Sequence, residues 1–422
     1  MTMKNPVLEL SRQRLAQLGR EYMVAAQINS RVGYAKIRID HGDDAYLTVA
    51  IPNWEAASPV YTQRMQRAMG FADGKTVKEI FKGLQLECGM SHQYFDANFE
   101  LESPERGKFW LDSCGPLLET EPRGEAAVKV MCHDIEDPTF DATAVATNPR
   151  ARMRPNHRPP RLPGSTGPVC SWNVFIDESA EPLQAKEITG VVARSKLAQV
   201  GLDTLDSSAE SGGIDDYSGE LFKKLELERF SQKALVTIAQ ELALQNNLLI
   251  RSMLMVVASE YSEAAALNVA EFQMSGSARL VSERLCKLFG EQGGGVEAIA
   301  RIAPMHPAFQ PMNYSQLKVD VLDKASLAIA IGPGPALDEV DEYSWLKAIC
   351  AGRDAGLLAL LQGIDQSVQV ERDTSEANRW LVTTGHAIDQ DGEESFPVQI
   401  GRSAIATGFE LVDSPDVIRI IE

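Results

Sequence analysis

Apolar residues recur at helical spacing between Leu10 and Val32 (Leu15, Leu18, Tyr22, Met23, Ala26), which predicts an amphipathic helix. Thr62–Met69 and Val77–Leu84 predict two more, separated by the turn signal Ala72-Asp73-Gly74. At Phe95 the period changes. Phe95, Ala97, Phe99 and Leu101 alternate with Asp96, Asn98, Glu100 and Glu102, the pattern of a half-buried strand. Ser103–Gly107 reads as a turn, and Phe109-Trp110-Leu111 opens the second strand of a hairpin. Ala126–Met131 and Ser171–Ile176 predict further strands, whereas Asn148–Pro168, rich in Pro and Arg, fits neither period. Asp203–Glu220 is small, acidic and Gly/Ser-rich, a linker or exposed loop. Helical spacing then returns over Phe222–Leu244, Leu248–Tyr261 and Ala278–Phe289.

The second half repeats the first. At an offset of 220, Ser11, Leu15, Glu21, Arg64 and Gly70 fall on Ser231, Leu235, Glu241, Arg284 and Gly290. At 219, Val77, Ile80 and Gly115–Glu119 fall on Val296, Ile299 and Gly334–Asp338; at 218, Lys129–Cys132 falls on Lys347–Cys350. The constant order of these blocks predicts an internal duplication. The expected fold is α+β: two similar domains, 1–202 and 221–422, joined by an acidic linker, 203–220. Each would be an antiparallel sheet with helices on one face.

Composition changes the picture in three ways. The 422 residues carry 41 Lys+Arg against 59 Asp+Glu, a net charge of −18, which argues against nucleic acid or an anionic membrane as partner. No apolar run reaches transmembrane length, since Leu248–Ala258 is broken by Arg251 and Ser252, and the N-terminus lacks a signal-peptide pattern. Six scattered cysteines without C-x-x-C spacing fit reduced thiols in the cytoplasm. A homo-oligomer is left open.

Candidate chemistry concentrates in Cys114–Cys170. Cys132 is matched by Cys350, but His133-Asp134 becomes Ala351-Gly352, so the first half reads as active and the second as degenerate, with a pocket expected between them. If Lys129–Cys132 is a strand, His133, Asp134, Glu136 and Asp137 converge at its end. Carboxylates so close push each other's pKa values apart and can supply an acid and a base. The alternative is a surface His and carboxylates that only turn the chain before Pro138.

Arg150, Arg152, Arg154, Arg158 and Arg161, with His157, form a cationic run in an acidic chain. It reads as an anchor for an anionic substrate or as a structural clamp on the Asp134–Asp141 carboxylates. Cys114 could be a nucleophile paired with His133 or His157, with Cys132 a further catalytic candidate and Cys170 a substrate contact, or it could be a small buried residue. His133, His157, Cys132 and Cys170 form a rival metal set, although their spacing matches no familiar ligand pattern. Gly293-Gly294-Gly295 lacks a nucleotide-binding context.

At Cys114-Gly115, Cys132–Pro138, Asn148-Pro149-Arg150 and Cys170-Ser171-Trp172, the chain resembles uncharacterised bacterial proteins associated with catabolism of terpenoid or steroid-like compounds. More remotely it resembles the thiazoline-carboxylate hydrolase family, where a strand-end Cys, a C-x-x-D turn and a later Cys recur. The resemblance is confined to the first half. Three readings result: a hydro-lyase without an organic cofactor, acting by acid–base catalysis on a small apolar substrate such as an alkenol; a hydrolase of a cyclic amide-like or thiazoline bond using Cys114 or a metal; or a non-catalytic binding or assembly protein.

Overall fold

A computed structural model describes residues 4–161, 164–387, 393–411 and 419–420. The Ser11 side chain accepts from the Arg14 N–H and starts α1 (Arg12–His41), which continues past the predicted Val32. α2 (Ala45–Ala68) contains the predicted Thr62–Met69 but begins earlier; Pro52 and Pro59 lie inside it and obscure its first turns. α3 (Val77–Gln85) starts at a Thr76/Glu79 capping box. The predicted hairpin is β1 (Ala97–Ser103) and β2 (Arg106–Leu111), with Phe99 opposite Phe109.

The expected strand Ala126–Met131 is helical. After α4 (Gly115–Thr120), the chain runs through α5 (Glu125–Lys129), a π-helical turn (Val130–Ile135) and α6 (Glu136–Val145). Its buried residues Val128, Cys132, Ile135 and Thr139 recur at helical spacing, and Pro138 sits in the first turn of α6, where its missing N–H costs little. Lys129–Cys132 is therefore not a strand, and Cys132–Asp137 do not sit at a strand end.

Part of the Arg/Pro stretch is in turn a strand. In β3 (Ala151–His157), Ala151 and Met153 are buried while Arg154 points out, an alternation hidden because arginine occupies the outward positions. With β4 (Cys170–Ile176) the antiparallel order is β1-β2-β4-β3. Two short helices, α7 (Glu187–Ala193) and α8 (Lys196–Gln199), close the first half.

The second half has the same plan. α9 (Gln232–Glu260) is one helix where two were expected, and Phe222–Ser231 precedes it without forming α-helix. The Asn246 and Asn247 amides donate to the Leu242 and Ala243 carbonyls and also to Tyr22 O and Pro307 O, so this polar pair ties the helix to its neighbours. α10 (Glu263–Phe289), α11 (Gly295–Ile302) and a short α12 (Met312–Ser315) follow. Hairpin β5 (Leu317–Val321) and β6 (Ser326–Ile331) precedes α13 (Trp345–Cys350), α14 (Ala355–Gln362), β7 (Gln369–Arg372) and β8 (Arg379–Thr383). α15 (Phe396–Arg402) and α16 (Ile405–Gly408) complete it. Its sheet order, β5-β6-β8-β7, repeats that of the first half. The fold is α+β in two halves.

The halves are interleaved. α1 packs on α9 and α10, and α2 packs on α9, within one apolar core shared by both halves. The first sheet has a further core with α3 and the helices after β2. α9 is long and apolar enough to cross a membrane by composition alone, but 83% of its apolar window is buried inside the fold. Residues 203–220 form no helix or β-ladder, yet Tyr217 is fully buried, with Lys82 donating to the Tyr217 and Gly219 carbonyls at 2.6 Å. This segment straps the first half as well as linking it to the second.

Candidate functional site

A cavity of about 210 Å³ lies inside the first half, walled by residues of α1, α2, the helices from Pro116 to Thr143, the turns flanking Glu87–Phe95, and β4. The pocket was expected between the halves; every residue lining this one lies between Gln27 and Trp172. α1 contributes a polar stripe at helical spacing: Gln27, Arg31, Tyr34 and Arg38. The π turn brings Met131, Ile135 and Glu136 to the opposite wall. Trp54, Phe95, Phe140 and Trp172 give that wall an apolar surface. Two glycines permit the close aromatic packing: a Cβ on Gly115 would fall 2.0 Å from the Tyr94 ring, and one on Gly89 2.8 Å from the Trp54 ring.

Two carboxyls line this cavity from surroundings that oppose charge. Burial, partly offset by Arg158, raises Glu136 from 4.5 to about 8, so it holds a proton at neutral pH. Burial raises Glu87 to about 7, with the Tyr61 hydroxyl, which donates to Oε1, acting in the opposite direction. The other oxygen, Glu87 Oε2, is buried without a hydrogen-bond partner. A third lining carboxyl, Glu119, is raised by burial against the pull of Arg31 and accepts from Ile405 N–H at 2.6 Å.

Three guanidinium groups share the same space. Arg31 approaches Glu119 at 3.8 Å, Arg38 approaches Asp43 at 3.6 Å, and Arg123 at the rim approaches Asp43 at 3.8 Å. Arg38 stacks 3.9 Å above the Tyr46 ring. Burial, then the charge of Arg123, lowers its pKa from the ordinary value. The Nε atoms of Arg31 and Arg38 are buried without a hydrogen-bond partner.

Of the residues singled out in the sequence, only Glu136 and Cys170 line the cavity. His133 donates from Nε2 to Pro159 O at 2.7 Å, Asp134 is exposed, and Asp137 is paired with Arg158. His157 donates to Pro168 O at 3.0 Å and accepts from Ser171 Oγ at 3.3 Å. Cys114 and Cys132 are buried beside the cavity, and burial pushes both thiols well up; Cys170 is raised to about 12. The cationic run clamps carboxylates and carbonyls. Arg154 binds Asp141 at 2.8 Å, Arg161 binds Glu121 at 2.8 Å, Arg152 binds Glu181 O at 2.7 Å, and Arg150 approaches Glu178 at 4.0 Å. Among the described residues no group of three or more His, Cys, Asp or Glu is arranged to hold a metal ion.

The second half shows what belongs to the fold and what to the cavity. Arg31 and Tyr94 have counterparts in Arg251 and Tyr314, and both tyrosines reach a glutamate, Glu119 at 3.4 Å and Glu339 at 3.3 Å, so the structure pairs Glu119 with Glu339, one residue beyond the expected Asp338. Glu119 accepts from the Ile405 N–H of the second half, and Glu339 from the Leu197 N–H of the first. This set is structural. The cavity residues differ: Tyr34, Arg38 and Tyr46 fall on Leu254, Ala258 and Ala266, and Arg123 falls at the acidic pair Asp341-Glu342. There Arg251 is bonded to Asp341 at 2.6 Å, and Trp380 Nε1 donates to Asp354 at 3.0 Å. In the first half Trp172 Nε1 has no hydrogen-bond partner.

No protein-family model matches the chain, and comparisons with curated proteins and with solved structures find no match either.

Proposed function

We propose that the first half is an acid–base enzyme that adds or eliminates water on a small molecule held in this cavity. The observation that carries the reading is two carboxyls, the buried Glu87 and the half-buried Glu136, lining one cavity whose polar residues Tyr34, Arg38 and Tyr46 fall on Leu254, Ala258 and Ala266 in the second half. Glu136, protonated near neutral pH, is the acid that delivers a proton to a departing hydroxyl. Glu87, with its free Oε2, is the base that accepts the proton on the neighbouring carbon. In the reverse direction the same pair activates water and protonates the alkene. The apolar wall of Trp54, Phe95, Phe140 and Trp172 suits a largely apolar substrate. All six cysteines are free thiols, which supports a reducing compartment, the cytoplasm.

A cysteine hydrolase draws less support, because Cys114 does not line the cavity and its thiol is held protonated. The test is a screen of hydroxy and unsaturated compounds in D2O, read by proton NMR. Deuterium incorporation and alkene–alcohol interconversion by the wild type, reduced about 100-fold or more in folded Glu136→Gln, would support the reading. Binding of the same compounds without turnover would leave a binding protein in its place.

A further inference from the structure

We infer that the ligand of this cavity is a small organic acid whose carboxylate is held by Arg38 and Arg123 while its apolar body lies toward Trp54 and Phe140. The inference rests on the acid–base reading of the site and specifies its substrate class. Its starting point is that Arg31, Arg38 and Arg123 make no hydrogen bond among the described residues and meet carboxylates only at 3.6–3.8 Å. Several arginines elsewhere in the fold are fully engaged, whereas Arg150, on the far strand of the sheet, also meets a carboxylate only at 4.0 Å. Arg64 donates to Glu241 and to two carbonyls, Arg284 to Glu21 and three carbonyls, and Arg402 to two glutamates. Arg123 is exposed at the rim, but the buried Nε atoms of Arg31 and Arg38 have no partner, and leaving a buried donor unmet is costly unless a ligand meets it.

The second half removes this feature by charge reversal. Its counterpart of Arg31, Arg251, is bonded to Asp341, which is matched with Arg123 at the 218 offset, and the Arg38 position is Ala258. The first half thus concentrates positive charge where the second neutralises it. Asp43, the shared neighbour of Arg38 and Arg123, is a weak neutraliser, since its side chain is 85% exposed. Tyr46 covers one face of the Arg38 guanidinium and leaves its edge for a planar, bidentate partner. A carboxylate has that shape.

Size limits the ligand further. At about 210 Å³ the cavity is smaller than the roughly 300–1,000 Å³ usual for drug-sized ligands, which favours a small molecule. A carboxylate next to the reacting carbons also suits the chemistry. As the base removes the proton from the carbon beside the carboxylate, the electron pair spreads onto the carboxylate oxygens, where guanidinium stabilises it. The C–O bond on the next carbon then breaks, and the acid protonates the departing hydroxide to water. The products are the unsaturated acid and water, with no redox change.

The experiment is calorimetric titration of the full chain with benzoate, trans-cinnamate and isovalerate, each beside its neutral amide, and with inorganic phosphate. At least one acid is expected to bind one-to-one, about tenfold or more tighter than its amide, with phosphate not competing. Arg38→Met and Arg123→Met, checked for fold by circular dichroism, should each erase the preference for acid over amide; Arg38→Lys should keep part of it. Amides binding as well as acids, phosphate displacing them, no acid binding at all, or an unchanged preference in both methionine variants would overturn the inference. Glu136→Gln separates the two readings: retained acid binding with lost turnover supports both. Hydration of a neutral compound lost in Glu136→Gln, with no preference for acids, refutes the carboxylate anchor alone.

Discussion

Arg64 of α2 donates to Glu241 of α9 at 2.8 Å, joining the two halves, and the converse pair, Arg284 of α10 with Glu21 of α1, closes at 2.6 Å. The four residues are related by the offset of 220, so each half offers the same arginine to the same glutamate of the other. Both arginines also bond carbonyls near a short helix, Ala198 O at α8 and Ala406 O at α16. A shared ancestor for the halves is our proposal for this reciprocity.

Because Glu241 is 2% exposed, removing its partner leaves a buried carboxylate uncompensated. Arg64→Ala is expected to lower unfolding free energy by about 3 kcal/mol. Arg64→Ala/Glu241→Gln should recover part of that loss, giving a coupling of about 1 kcal/mol or more in a double-mutant cycle. A coupling near zero would mean that the pair does not join the halves energetically.

Stability should fall as pH rises toward 8. Glu136 and Glu87 take protons more tightly folded, at about 8 and about 7, than unfolded, near 4.5. Their contribution is fully present below the unfolded value and is lost as pH climbs through the folded ones. Each group gives a slope of about 1.4 kcal/mol per pH unit inside its window. Thermal unfolding of Glu136→Gln between pH 5 and 8 should show a flatter decline than the wild type; parallel curves would deny the shift.

Thiol accessibility gives a separate check. Cys88, Cys114, Cys132, Cys170 and Cys286 are buried, and burial raises each thiol. Native protein at pH 8 should react slowly with Ellman's reagent, and denatured protein should show six thiols. Rapid modification of Cys114 in the native state would reopen the hydrolase reading.

Gly115→Ala probes the wall. The added methyl has no room beside the Tyr94 ring, so the variant should lose about 1–3 kcal/mol of stability and weaken ligand binding. Unchanged binding would place Tyr94 outside the functional part of the cavity.

Much of the fold was legible as periodicity: α1, α3, the β1–β2 hairpin and β4 follow from spacing alone. The 220 offset carried the repeated plan. What misled was local. Valines at 128 and 130 favour a strand, but the burial of Val128, Cys132 and Ile135 over several turns makes that segment helical. The site was legible only at Glu136 and Cys170. Conspicuous His, Asp and Arg residues around them are occupied by carbonyls and by one another. Of the missed residues, Arg31 lies within the predicted helix but off its apolar stripe, and Tyr34 and Arg38 lie on the part of α1 beyond the predicted Val32. Glu87 gave no signal, because its burial comes from the turn after α3 packing on α2. Setting the halves side by side at the 220 offset would have exposed Arg38 against Ala258.

The most direct test of the account is a pH titration of the glutamate side-chain carboxyl carbons by 13C NMR, with Glu136→Gln and Glu87→Gln to assign the signals. The account predicts one carboxyl titrating near 8 that vanishes in Glu136→Gln and another near 7 that vanishes in Glu87→Gln. Finding both residues fully ionised by pH 5 would contradict it, since no proton donor would then stand in the cavity at neutral pH.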